Sequence, residues 1–219
     1  MSEYLQSLIE QGENQRLDFK FEISDSKKIA RSLVAFANTD GGKLLVGIKD
    51  NGSIAGVRSE EEYHMIEAAA QLYCKPEVKF STREWNIGGK IVLEVAVPRS
   101  KDVKHRAPDK NNEYKVYVRV DDQNLLANQI LLQVWKRKKS TKPVKVSFTE
   151  VESKLLKHLE NNGPISKNEF IKLCNISWTR ANRILVDFIL LGIIQMNLFE
   201  KGATFELIDL NYMEHFDEK

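Results

Sequence analysis

The sequence predicts an α+β fold in two regions, and three observations predict it. Over the N-terminal region strands and helices alternate in a mixed order with hairpin turns, rather than in repeated βαβ units, so a mixed sheet is expected instead of a doubly wound parallel one. From Phe148 onward two capping boxes each open an apolar-periodic run, a third helix follows, and two short strands close the chain. Three helices and a β-hairpin in so short a stretch is the pattern of a winged helix-turn-helix. Between the two regions lies the positive charge. Residues 134–147 hold 6 Lys+Arg and no acid, whereas residues 1–133 and 148–219 are net −1 and −3. The expected organisation is therefore a mixed-sheet domain over 1–133, a basic linker over 134–147, a winged-helix domain over 148–210 and a tail over 211–219.

The elements follow in order. Leu5, Leu8 and Ile9 share one face of a helix over residues 3–11. Arg16 to Phe21 alternates polar and apolar residues, which is strand periodicity. Ser26 is placed to cap a helix that buries Ile29, Leu33, Val34 and Phe36 and runs out near Asn38. Gly41-Gly42 ends it, and Lys43 to Ile48 reads as a buried strand. Asp50-Asn51-Gly52 is a hairpin turn. Ser59 opens a helix whose first turn, Glu60-Glu61-Glu62, suits the helix dipole. Strands are expected at Val78 to Trp85, Lys90 to Val97 and Glu113 to Val120, then a closing helix from Asn124 to Trp135. In the C-terminal region Thr149-x-x-Glu152 and Ser166-x-x-Glu169 are the capping boxes. The third helix runs from about Ser177 to Gly192, and strands over 193–199 and 203–208 flank the turn Glu200-Lys201-Gly202.

Composition excludes several classes. Apolar residues make up 42% and charged residues 29% of 219, an ordinary globular balance. No run approaches eighteen apolar residues, so no membrane span is expected. The first residues carry no basic n-region or small-residue cleavage site, so a secretory signal is not expected and the chain is placed in the cytoplasm. Cys74 and Cys174 stand far apart without histidines at metal spacing, which supports neither a disulfide framework nor a zinc site.

The N-terminal motifs carry a resemblance. Glu13-x-x-x-x-Asp18-Phe19-Lys20, Ala35-Phe36-Ala37-Asn38-Thr39-Asp40-Gly41-Gly42 and Leu45-Val46-Gly47-Ile48-Lys49-Asp50-x-Gly52-x-Ile54-x-Gly56-Val57 resemble the Schlafen AlbA_2 domain. Val97-Pro98-x-Ser100, Lys104-His105 and Tyr117-Val118-Arg119 fit as well. Asn38, Gly41, Gly42, Gly47 and Arg119 are its motif residues here. Bacterial members are described as DNA-binding or regulatory proteins, often with a winged helix behind the AlbA_2 domain. Several eukaryotic relatives are metal-dependent endoribonucleases, and their three acidic residues map onto Glu13, Asp18 and Asp50. The second of these is normally Glu. Three carboxylates would suit Mg²⁺ or Mn²⁺, a hard cation that activates water and offsets phosphorane charge. Otherwise no cofactor is required. The competing reading makes Asp50 a turn residue and Glu13 and Asp18 surface charges beside a strand. The glycines fit neither G-x-x-x-x-G-K-[ST] nor G-x-G-x-x-G, so turns and close packing explain them better than a phosphate loop.

For the remaining candidates, Lys136, Arg137, Lys138 and Lys139, with Lys142 and Lys145, would contact phosphates or simply keep a linker extended. Trp178, Arg180 and Arg183 lie at the start of the third winged-domain helix, where base-edge contacts arise. His105, beside Lys104 and Arg106, would touch phosphate or stay solvated. The leading reading is a nucleic-acid-binding protein, a DNA-binding transcriptional regulator, with RNA also open as target. The alternatives are a Schlafen-type endoribonuclease and a protein-interaction module. A homodimer is expected, because one near-neutral lobe holds a polyanion poorly.

Overall fold

A run such as Lys43 to Ile48, apolar on both faces, fits only where both faces of a sheet are covered. The computed structural model, which describes residues 3–57, 60–141, 143–144 and 148–208, covers both. The chain divides into two units, residues 1–127 and 128–219.

The first unit runs α1 (Glu3–Gln11), β1 (Leu17–Lys20), α2 (Ser26–Asn38), β2 (Gly42–Val46), α3 (Glu61–Leu72), β3 (Ser81–Ile87), β4 (Lys90–Val97), β5 (Ala107–Pro108), β6 (Tyr114–Lys115), β7 (Tyr117–Val120) and β8 (Gln123–Leu126). The main sheet has the order β1-β2-β4-β3. β1 is parallel to β2 and the other pairs are antiparallel, so the sheet is mixed as expected. Side-chain alternation splits its core in two. Leu44, Val46, Leu93 and Val95 pack with α2 and α3 on one face. Leu17, Phe19, Leu45 and Val92 pack with Leu5 of α1 on the other. Two hairpins, β5–β6 and β7–β8, complete the unit.

Four local expectations are corrected. Asp25 caps α2 through its carboxylate, which accepts from the Lys27 and Lys28 amides, and Ser26 becomes the first helical residue. The strand expected from Val78 starts at Ser81, and the one expected over 113–120 is broken into β6 and β7. The helix expected from Asn124 begins only at Gln129. Residues 123–126 instead fold back on β7 across a turn that places Asp121 at φ 52°. Four residues are too few for strand periodicity to compete with the apolar spacing of the helix that follows. The opening of α3 at Ser59 lies outside the described residues.

The second unit runs α4 (Gln129–Lys138), α5 (Glu150–Asn162), β9 (Ile165–Ser166), α6 (Lys167–Cys174), α7 (Trp178–Leu190), β10 (Ile194–Phe199) and β11 (Gly202–Leu207). Both capping boxes form: Thr149 with Glu152 opens α5, and Ser166 with Glu169 opens α6. The strands make an antiparallel sheet of order β10-β11-β9. Ile130 and Val134 of α4 share a core with Leu155, Phe170, Leu185 and Phe188. The segment placed at the end of the first domain and in the linker is thus, over residues 129–138, a helix of the second unit. The expected tail, 211–219, lies outside the described residues.

Gly41 shows how tightly the α2–β2 turn is built. Its φ is +71°, and a Cβ there would lie 2.8 Å from the Val97 carbonyl oxygen and 2.9 Å from the Arg99 amide nitrogen. Both obstacles are backbone and cannot rotate away. Gly41→Ala is expected to lower unfolding free energy by more than about 1 kcal/mol in urea titrations; an unchanged midpoint would contradict this packing.

Candidate nucleic-acid interface

Arg119 is buried, 2% exposed, on β7. A guanidinium withdrawn from water must find acceptors for its whole fork. Nε donates to the Asn14 carbonyl at 3.3 Å, Nη1 to Asn124 Oδ1 at 3.1 Å, and Nη2 to the Leu17 carbonyl at 3.1 Å and Asp18 Oδ1 at 3.3 Å. Its backbone amide donates to Thr39 Oγ1, and its carbonyl accepts from Gln15 Nε2. Arg119 therefore ties β7 to the segment entering β1.

Asp18 is equally buried, and its second oxygen lies 3.0 Å from Lys20 Nζ. It is not the surface charge of one sequence reading but the counterion of Arg119. Glu13 lies beside it and accepts from the Phe19 amide at 2.8 Å. Burial first, and then its hydrogen bond with Asp18, raise the Glu13 carboxyl above the ordinary glutamate value. Asp50 stands exposed at the turn after β2. Among the described residues no group of three His, Cys, Asp or Glu side chains could hold a metal ion. Glu13 and Asp18 come together, but the trio does not form such a group. The Lys20 ammonium, 3.0 Å from Asp18 and 3.8 Å from Glu13, supplies the positive charge beside the pair. This donor set does not fit Mg²⁺ or Mn²⁺, and no metal step follows from it.

The Asn38 to Gly42 motif does two jobs. Asn38 is a bracket: its Nδ2 donates to the His105 and Tyr117 carbonyls, both at 2.9 Å, and its Oδ1 accepts from the His105 amide at 2.8 Å. His105 is buried and its Nδ1 lies 2.8 Å from the Pro76 carbonyl, so it is neither solvated nor placed for phosphate. Lys104 Nζ donates to the Asn38 carbonyl. Asp40, Gly41 and Gly42 line a cleft of about 580 Å³ together with Arg16, Lys43, Lys79 and Arg99. Sequence reasoning missed these four cations, which are scattered over more than eighty residues; only the glycine pair and the Val97-Pro98 fragment pointed to the place. Gly47, another motif residue, has φ +91° and packs against the Gly56 backbone, where a Cβ would lie 2.7 Å from the Gly56 carbonyl carbon.

In the second unit the basic segment is divided by the helix that holds it. Lys136, Arg137 and Lys138 occupy the last turn of α4, where positive charge suits the dipole. Arg137 is ion-paired with Asp187 of α7. Lys136, Lys138 and the C-cap Lys139 are exposed, while Lys142 and Lys145 lie outside the described residues. On α7 Arg180 turns back, its Nη2 donating to Thr149 Oγ1 at 3.3 Å, whereas Arg183 faces solvent. Trp178 is 44% exposed at the helix start, with Lys167 Nζ 4.4 Å from its ring centroid. Arg180 and Arg183, both read in the sequence as candidates at the start of this helix, are thus separated in role.

Two outcomes test the buried cluster. Arg119→Met leaves Asp18 buried without its guanidinium and should cost about 3–5 kcal/mol in chemical denaturation; a loss below about 1 kcal/mol would remove Arg119 from its central place. Glu13→Gln keeps the acceptor for the Phe19 amide. Since the folded Glu13 carboxyl titrates above its ordinary 4.5, its ionisation opposes folding as pH rises through the raised value and not below the ordinary one. Glu13→Gln should therefore match the parent in stability near pH 4 and exceed it at pH 7. The opposite pH trend would refute that assignment.

No curated protein matches the chain. Among solved structures, the DIP2311 protein from Corynebacterium diphtheriae is similar with 20% identity and a TM-score of 0.45, over 68% of this chain and 34% of that one. The N-terminal domain of a protein from Nitrosomonas europaea related to the ATP-dependent DNA helicase RecG is similar with 20% identity and a TM-score of 0.36, over 67% of this chain and 92% of that one. The chain therefore spans about a third of the Corynebacterium protein and most of the Nitrosomonas domain. The family model for the Schlafen AlbA_2 domain matches residues 13–128, more than half of the sequence. The chain belongs to the Schlafen AlbA_2 family.

Proposed function

We propose that this protein binds nucleic acid and acts as a DNA-binding transcriptional regulator, with the second unit serving as a winged helix that reads duplex DNA. The observation that carries this is the outward face of α7. Exposed Trp178 and Arg183 lie in its first two turns, in a unit whose order is two helices, short strand, two helices and hairpin with sheet order β10-β11-β9. A helix presented this way can enter a major groove with its N-terminal residues toward base edges, and arginine is the side chain suited to bidentate guanine contact. Family membership supports the nucleic-acid class, since bacterial AlbA_2 proteins are described as DNA-binding. Lys136 and Lys138 add exposed charge suited to phosphate, while Arg137 is engaged with Asp187.

Arg183→Ala is expected to cost roughly 1–3 kcal/mol on a selected duplex site and little on random duplex, measured by anisotropy titration after site selection. Equal losses would make Arg183 a phosphate contact, and no loss would favour the protein-interaction alternative. Lys136→Ala and Lys138→Ala should each lower the log–log salt slope by about 0.9 on all sequences. Arg137→Ala should instead destabilise the second unit by about 1–3 kcal/mol, because it strips Asp187 of a charged partner.

A further inference from the structure

The cleft beside the Asp40-Gly41-Gly42 turn belongs wholly to the first unit and combines two chemistries. Its cations are not equivalent. Lys43 is committed: it pairs with Glu94 at 3.2 Å and donates to the Tyr4 hydroxyl. Burial works against its charge, but those two hydrogen bonds outweigh burial and hold its pKa above the ordinary lysine value. Arg99 is 62% exposed in its side chain and lies 3.9 Å from Asp40 Oδ1. Arg16 and Lys79 are exposed, and neither enters an ion pair among the described residues. Three cations are therefore presented to an incoming anion, against the single carboxylate Asp40.

Leu8, Leu17, Phe80, Val97 and Pro98 give the lining an apolar part, beside the polar Gln11, Asn14 and Ser81. Gly42, which lines the cleft, cannot carry a side chain, because a Cβ there would fall 2.3 Å from the buried Phe36 ring. Phosphate alone would leave the apolar wall unused, and an apolar peptide would leave the cations unpaired. A nucleotide offers both a charged phosphate and a flat apolar base face. The volume of about 580 Å³ suits a ligand of that size, whereas a duplex, about 20 Å across, cannot enter and keeps its base faces stacked. We propose that this cleft binds one unpaired nucleotide of a single strand, its phosphate held by Arg16, Lys79 and Arg99 and its base laid against the Phe80–Pro98 wall. Single-strand sites are commonly built this way, from cations tracking the backbone and surfaces on which bases rest. The site goes beyond the duplex-reading role proposed for α7, because it lies in the other unit and selects the opposite state of the strand.

The test uses the full chain and a fluorescein-labelled mixed-sequence 12-nucleotide DNA strand, alone, annealed to its complement, and with its central nucleotides made abasic. The double variant Arg16→Ala/Lys79→Ala should weaken single-strand binding at least tenfold and change duplex binding less than twofold, with an unchanged thermal midpoint. Arg16→Lys/Lys79→Arg should restore single-strand affinity to within about threefold. The abasic strand should bind at least fivefold more weakly than the intact one, as expected for loss of base contact. No detectable binding of the intact strand, equal losses on single strand and duplex, or equal binding of abasic and intact strands would overturn the assignment. Competition by free nucleoside monophosphates at micromolar concentration would also overturn it, transferring the cleft to a free nucleotide. Arg183→Ala on the selected duplex site serves as the control: loss of binding to that site alone in that variant, and of single-strand binding alone in the cleft variant, separates the two proposals.

Discussion

The first unit depends on one buried charge. Removing a guanidinium from water costs several kcal/mol unless acceptors and a counterion replace the lost hydration, and Arg119 meets that demand only by drawing distant segments together. Its acceptors come from residues 14, 17, 18 and 124. The approach to β1 and the β7–β8 hairpin must both be in register for the fork to be satisfied. The Asn124 amide, which supplies one acceptor, also donates to Ser32 Oγ of α2 at 2.8 Å. One cation thus fixes the mutual placement of strand, hairpin and helix. Geometric fit of this kind selects arginine over lysine, whose compact ammonium lacks the planar fork.

The same constraint reaches the cleft through Gln15. Its amide nitrogen donates both to the Arg119 carbonyl at 3.0 Å and to Asp40 Oδ2 at 2.9 Å, and Asp40 lies 3.9 Å from Arg99. On the α1 face of the sheet a second knot holds Lys43. Glu94 accepts from the Tyr4 hydroxyl at 2.7 Å and from Trp85 Nε1 at 2.8 Å while pairing with Lys43. Burial would raise the Glu94 carboxyl, but hydrogen bonds from Tyr4, Trp85 and Lys43 prevail and lower it. Two of the polar groups lining the cleft are therefore oriented by networks whose first purpose is to stabilise the fold.

How far the sequence could be read follows from the range of the interactions involved. Local signals were legible: both capping boxes form, and the chain does turn at Gly41 and at Gly192. Where two local signals competed the choice was open, and Asp25 capped α2 although Ser26 was an equally good residue type. Arg119 was legible as a motif residue but not in its role, because its partners are spread over more than a hundred positions and no local pattern marks them. Asp18 and His105 failed for the same reason. Each reads as a charge or an imidazole in a polar stretch, and only the tertiary structure reveals that it is enclosed.

Charge counting along the sequence did not locate the cations of the cleft. Residues 134–147 hold the densest positive run in the chain. Within α4, however, Asp187 neutralises Arg137, and the neighbouring lysines sit where the C-terminal dipole of the helix already favours cations. The first unit reads as neutral, yet it gathers Arg16, Lys79 and Arg99 on one concave surface with Asp40 as the opposing acid. A polyanion responds to the local field, and a cleft with low-dielectric walls concentrates that field more than the same charges spread along a segment. A sum of charge along the sequence cannot see a shape that collects charge, so a near-neutral unit can still carry a concentrated positive surface.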